Sequence, residues 1–211
     1  MADRIRINEV KTRGDTTCLV VEGEEPMTIT AEAARRRNLH AGVILTPSQF
    51  AQLQQEARRY ACEQTAARML AGREHSEWEL TAKLRRKGFD SDTVMETVRR
   101  YRQMGAVDDA RYAQMIGRSL VERKPCGKAY VSAYLQKRGI TRELAEAAAE
   151  TLLGGRDETD RAAAALEQRR QTWAEFELET ARRKAYNYLA RRGFGFAAAR
   201  SAFEQVFGST Q

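Results

Sequence analysis

The chain has 211 residues, 42% hydrophobic and 31% charged, with only three prolines; this composition excludes a disordered or collagen-like chain, and the length admits one or two compact domains. Its 36 bases exceed its 29 acids to give a net charge of +7, and the excess sits in residues 111–155, where 8 bases face 4 acids. No run of about 18 apolar residues offers a membrane span, and MADRIRINEV lacks the apolar centre of a secretory leader, so a cytoplasmic protein is expected.

The basic excess suits a polyanionic partner, either nucleic acid or an acidic protein surface; the alternative is a solvated basic surface with no specific partner. Cys18, Cys62 and Cys126 are widely spaced and form no CxxC pair, so they read as reduced thiols. His40 and His75 are too few and too isolated for a metal site.

Strand signals come first. RIRINEV alternates Arg4 and Arg6 with Ile5 and Ile7, the period of a half-buried strand. TTCLVVEG is a second strand, Arg13-Gly14-Asp15 is the turn between them, and PMTIT adds a short third. AEAARRRNL reads as a short helix, followed by HAGVILT. Thr46 then caps a helix with Pro47 at its first position, where proline loses nothing. That helix covers PSQFAQLQQEARRYACEQTAARML in one or two pieces. Residues 1–60 are thus expected to form a small β-containing module with a linking helix.

Helices follow. SEWE at 76–79 fits a capping box, in which Ser76 accepts a first-turn N–H and Glu79 reaches back. Leu80 and Leu84 lie one turn apart, and Gly88 stands where the helix must stop. Asp90 or Ser91 caps the next helix, with Val94, Val98 and Tyr101 as its stripe. Acids open VDDARYAQMIGRSLVERK, where the helix dipole favours them, and Ala113, Ile116 and Leu120 continue its apolar face. KAYVSAYLQKRG, TRELAEAAAETLL with its Thr141 cap, RAAAALEQRRQTW, FELETARRKAYNYLARRG and FAAARSAFEQVF complete the series.

One phrase recurs: LRRKGF from Leu84, LQKRGI from Leu135 and LARRGF from Leu189, 51 and 54 residues apart. A near-constant period with a matching helix pattern is the signature of a tandem helical array. Three-helix repeats are expected over 61–106, 107–154 and 155–211, stacked into an elongated, curved array. Leucine packs the middle helix, glycine ends it, and Phe or Ile covers the end. A single cation would satisfy the dipole, yet several bases cluster at each repeat end. Lys184 lies just upstream of the third cluster. Stacked regularly, these bases would line one side of the array and suit a long partner.

The segments REHSEWELTAKLRRKGF (73–89), GAVDDARYAQMIGRSLVERKPCGKAYVSAYLQKRGI (105–140) and the looser YNYLARRGFG resemble the RecX family, modulators of the RecA recombinase. Cys126 and Tyr130 depart from the family pattern, where an aromatic and an aliphatic residue are usual. The resemblance implies a non-enzymatic regulator, without cofactor or small-molecule substrate. It would be a monomer that binds the RecA filament in its helical groove and reduces ATP hydrolysis, strand exchange and co-protease activity. The expected partner-binding residues are Arg85, Arg86, Lys87, Arg111, Lys124, Lys128, Lys137, Arg138, Arg182, Arg183, Arg191 and Arg192.

Two other classes compete. For an enzyme, CGKAY lacks the upstream glycine and the hydroxyl residue of a phosphate-binding loop, Cys126 has no histidine near it in sequence, and Asp108 and Asp109 serve as helix N-terminal acids. For a direct DNA binder, Tyr101, Tyr112, Tyr130 and Tyr134 would join the bases; tyrosines at helical spacing are more often core.

Overall fold

A computed structural model describes residues 5–208; Arg4, expected on the polar face of the first strand, lies outside the described residues. The chain divides into two compact units, Met1–Glu74 with Leu80–Val107, and His75–Glu79 with Asp108–Gln211.

In the first unit, β1 (Ile5–Arg13), β2 (Thr16–Val21), β3 (Met27–Thr30) and β4 (Ile44–Leu45) form an antiparallel sheet of order β3-β2-β1-β4. Gly14, at φ +55°, makes the tight turn from β1 to β2, a backbone shape that L side chains resist. Alternation puts Ile7, Leu19, Val21 and Ile29 on one buried face and leaves Arg6 in solvent. That face packs on α1 (Ala31–Arg36) and on Phe50, Leu53 and Ala57 of α2 (Pro47–Gly72).

The helix α2 (Pro47–Gly72) is one unbroken piece of 26 residues. Its capping box joins the Thr46 hydroxyl to the Gln49 N–H at 3.2 Å and the Thr46 N–H to Gln49 Oε1 at 2.9 Å. The linking helix of the N-terminal module and the first helix of the helical region are therefore the same element. Its later residues Cys62 and Ala66 enter a second core with Leu80 and Leu84 of α3 (Glu77–Arg86) and Val94 and Val98 of α4 (Ser91–Gln103). Asp90 is the α4 cap, accepting the Thr93 N–H at 2.9 Å. The Tyr101 hydroxyl donates to the Glu63 carbonyl at 3.0 Å, tying α4 to α2.

In the second unit, α5 (Asp109–Arg123), α6 (Lys128–Gln136) and α7 (Arg142–Leu153) close around Tyr112, Ala113, Leu120, Val131, Leu135 and Leu153. The last group comprises α8 (Glu158–Glu167), α10 (Leu178–Arg191) and α11 (Phe196–Phe207). It also contains α9 (Arg170–Ala174), five residues long. The single helix expected over RAAAALEQRRQTW is thus broken at Gln168–Arg169. The break turns Trp173 into the core, edge-on to Tyr188 at 5.3 Å between ring centroids. Alanines at 162, 163, 165, 181, 185, 199 and 202 let these helices approach closely. The chain is mainly α with a small β-containing N-terminal part, as expected. Among the described residues, no helix is long and apolar enough to cross a membrane.

Candidate partner-binding surface

The three copies of the recurring phrase share a buried leucine and a left-handed glycine, and the second and third also share a fold-back bond. Leu84, Leu135 and Leu189 are fully buried, each worth about 2 kcal/mol of removal from water. Gly88, Gly139 and Gly193 take φ of +89°, +80° and +71°, the left-handed shape that ends a helix and that side chains disfavour. The Ile140 and Phe194 N–H groups fold back to the Leu135 and Leu189 carbonyls at 3.3 and 3.1 Å. Phe89 packs on the core that holds Leu84.

The second unit adds a contact that the phrase alone does not announce. The Ser76 hydroxyl accepts the Glu79 N–H at 3.1 Å, as a cap should, and donates to the Arg138 carbonyl at 2.8 Å. One period later the Gly127 N–H donates to the Arg192 carbonyl at 2.8 Å. In both places the N-terminus of one middle helix meets the glycine turn that ends the next. A Cβ on Gly139 would overlap Trp78, one on Gly193 would overlap Tyr130, and one on Gly127 would overlap the Gly193 carbonyl. These glycines therefore serve close approach, beyond ending a helix. The available signal was the spacing of Ser76 and Gly127, which matches that of Leu84 and Leu135.

The twelve expected partner-binding bases fall into three situations. Arg85, Arg86, Lys87, Lys124, Lys137, Arg183 and Arg191 are exposed and make no ion pair among the described residues. Arg111, Lys128 and Arg182 have carboxylate partners: Asp108 at 3.8 Å, Glu150 at 2.7 Å and Glu179 at 2.6 Å. Arg138 and Arg192 are half-buried clasps. The Arg138 guanidinium lies 3.7 Å over the Tyr134 ring and donates to the Tyr134 hydroxyl at 2.7 Å. Arg192 reaches the Pro125 carbonyl at 3.3 Å, beside the Tyr188 ring. Lys184 caps the Phe176 ring at 3.3 Å.

The competing chemistries find their residues engaged structurally. Cys126 is buried, and burial pushes its thiol up against the opposing pull of Arg161 and Arg192, so it stays protonated at neutral pH. His75 is buried in the segment before α3. Asp108 accepts the Arg111 N–H at 3.0 Å, and Asp109 accepts the Glu77 N–H at 2.8 Å, so both carboxylates serve helix N-termini. Tyr112 is buried with its hydroxyl 3.3 Å from Glu79, while Tyr130 and Tyr134 are half-buried and stack on each other.

Three consecutive helix groups, sharing one glycine-turn phrase and a repeated contact, define a tandem helical-repeat protein. A family profile described as "RecX, first three-helix domain" matches residues 62–100, and "RecX, second three-helix domain" matches 108–148. The chain belongs to the RecX family of regulatory proteins. The regulatory protein RecX of Chlorobaculum tepidum is 30% identical over 153 residues, spanning 72% of this chain and 92% of that one. That of Deinococcus radiodurans is 33% identical over 152 residues, spanning 72% and 71%. The crystal structure of a regulatory protein RecX shares the fold with a TM-score of 0.74 at 16% identity, over 97% of this chain and 100% of that one. RecX from Lactobacillus salivarius does so with a TM-score of 0.62 at 17% identity, over 71% and 96%.

Proposed function

We propose that this protein binds the RecA nucleoprotein filament in its helical groove and lowers its ATPase, strand-exchange and co-protease activities. It does so as a cytoplasmic monomer, without cofactor or catalysis of its own. The observation that carries this reading is the set of exposed bases at the repeat ends, Arg85, Arg86, Lys87 and Lys137 foremost, unpaired among the described residues, in a chain of the RecX family. Exposed cations without carboxylate partners are available to a polyanionic or acidic surface at little desolvation cost. Such bases recur in sequence at the ends of the three repeats expected over 61–106, 107–154 and 155–211, a period that suits a periodic partner.

Direct DNA binding by the same bases is the second reading. Pelleting with preformed RecA filaments on single-stranded DNA, set beside binding to naked DNA at rising salt, separates the two. A filament regulator stays with the filament at salt that strips it from naked DNA. A DNA competitor loses both together, with a slope set by the phosphates it neutralises.

A further inference from the structure

The contact between a middle-helix N-terminus and a glycine turn occurs twice in the second unit, Ser76 on Arg138–Gly139 and Gly127 on Arg192–Gly193. The first unit holds the third left-handed glycine turn of the phrase, Lys87-Gly88-Phe89, with nothing on it among the described residues. A Cβ on Gly88 would meet no atom within 4 Å. The Lys87 carbonyl, counterpart of those of Arg138 and Arg192, accepts no hydrogen bond from the described residues. Arg85, Arg86 and Lys87 stand exposed beside it. A backbone acceptor, a bare glycine face and three cations thus lie within four consecutive residues.

We propose that this turn is a docking point for the N-terminus of a helix in a partner protein. The two occupied turns define what fits. The incoming helix carries a small N-cap residue, whose O–H or N–H donates to the Lys87 carbonyl as Ser76 and Gly127 do to theirs. An aromatic residue two or three positions on lies against Gly88, as Trp78 does at Gly139 and Tyr130 at Gly193. Acids in its first turn, the place of Glu77 and Glu79 in α3, face Arg85, Arg86 and Lys87.

A second copy of this chain cannot supply that helix from its last repeat. Counting back from Leu189 as Ser76 stands from Leu84, the matching position is Ala181, which lies inside α10. Its N–H is already bonded to the Glu177 carbonyl at 2.9 Å. The extra turn of α10 thus occupies the position that a docking N-cap would need. A nucleic-acid strand would satisfy the three cations but offers neither the helix donor nor the aromatic cover for the glycine.

The test uses the full chain, isotope-labelled, and a helix-stapled peptide of sequence EHSEWELTAKL, which is this chain's own Glu74–Leu84. The peptide is expected to shift the Gly88 and Phe89 amide signals with a Kd of about 1 mM or tighter. Gly88→Asn places a side chain on the docking face; asparagine tolerates the left-handed backbone, as at Asn38, φ +49°. This variant should keep its melting temperature and bind the peptide roughly tenfold more weakly. Gly14→Asn, a left-handed glycine in a hairpin, is the control and should bind like the wild type. No shift at Gly88, or equal binding by Gly88→Asn, overturns the dock. Loss on Arg85→Glu/Arg86→Glu with none on Gly88→Asn also overturns it, and shows a surface for anions alone. The peptide arm contains no RecA, so a protein that binds the peptide but ignores the filament supports the dock and refutes the RecA reading.

Discussion

Ser76 and Arg138, 62 positions apart in sequence, are joined by a 2.8 Å hydrogen bond from the serine hydroxyl to the arginine carbonyl. The same hydroxyl accepts the Glu79 N–H at 3.1 Å, so one buried oxygen caps a helix and holds a neighbouring helix end. Ser76→Ala removes both bonds and leaves a buried donor and a carbonyl unpaired. It should lower unfolding stability by about 2 kcal/mol. In urea unfolding this appears as a lower midpoint with an unchanged slope; an unmoved midpoint would mean that water replaces the hydroxyl.

Gly127 and Gly155 make a second comparison. A Cβ on Gly127 would overlap the Gly193 carbonyl, whereas one on Gly155 would meet nothing within 4 Å. Gly127→Ala should therefore cost about 3 kcal/mol or more by forcing the two turns apart. Gly155→Ala should change stability by less than about 1 kcal/mol. Thermal melts of the two variants side by side decide this, and similar values would contradict the close approach.

Adjacent bases at one repeat end should behave differently. Arg138 stacks on Tyr134 and donates to its hydroxyl, while Lys137 is exposed and unpaired among the described residues. Arg138→Lys loses the planar stack and should destabilise by about 1 kcal/mol. Lys137→Glu should leave stability within about 0.5 kcal/mol and weaken filament binding. If Lys137→Glu binds filaments as the wild type does, that base drops out of the surface.

Asp90 gives a pH dependence. The backbone N–H of Thr93, followed by its side chain, holds the Asp90 carboxyl below the usual carboxylate value. A folded value below the unfolded one contributes stability that is present above the unfolded pKa and is lost as pH falls through the folded one. The stability gap between wild type and Asp90→Ala should be widest at neutral pH and shrink as the pH falls below the ordinary carboxylate pKa and through the lowered folded one. A gap that does not change with pH would show that the cap works without its charge.

Much of this was legible because it is local. The Thr46 and Ser76 caps, the Pro47 start and the three glycine stops each follow from a few neighbouring residues, and the structure has them where the sequence puts them. The break between α8 and α9 was not legible, since RAAAALEQRRQTW is helical by propensity throughout. Burial of Trp173 against Tyr188, a tertiary gain, overrides that propensity. The clasping roles of Arg138 and Arg192 were hidden for a similar reason. A base before a glycine reads as solvated charge until its neighbours are placed, and Pro125 lies 67 positions from Arg192.

The most direct test of the regulator reading is RecA ATP hydrolysis on excess single-stranded DNA, with this protein titrated in far below the concentration of DNA sites. A steep fall at substoichiometric ratios is the predicted result, because one bound regulator then silences many RecA subunits. A fall only when the protein is abundant enough to cover the DNA, or no fall at all, would contradict action on the filament.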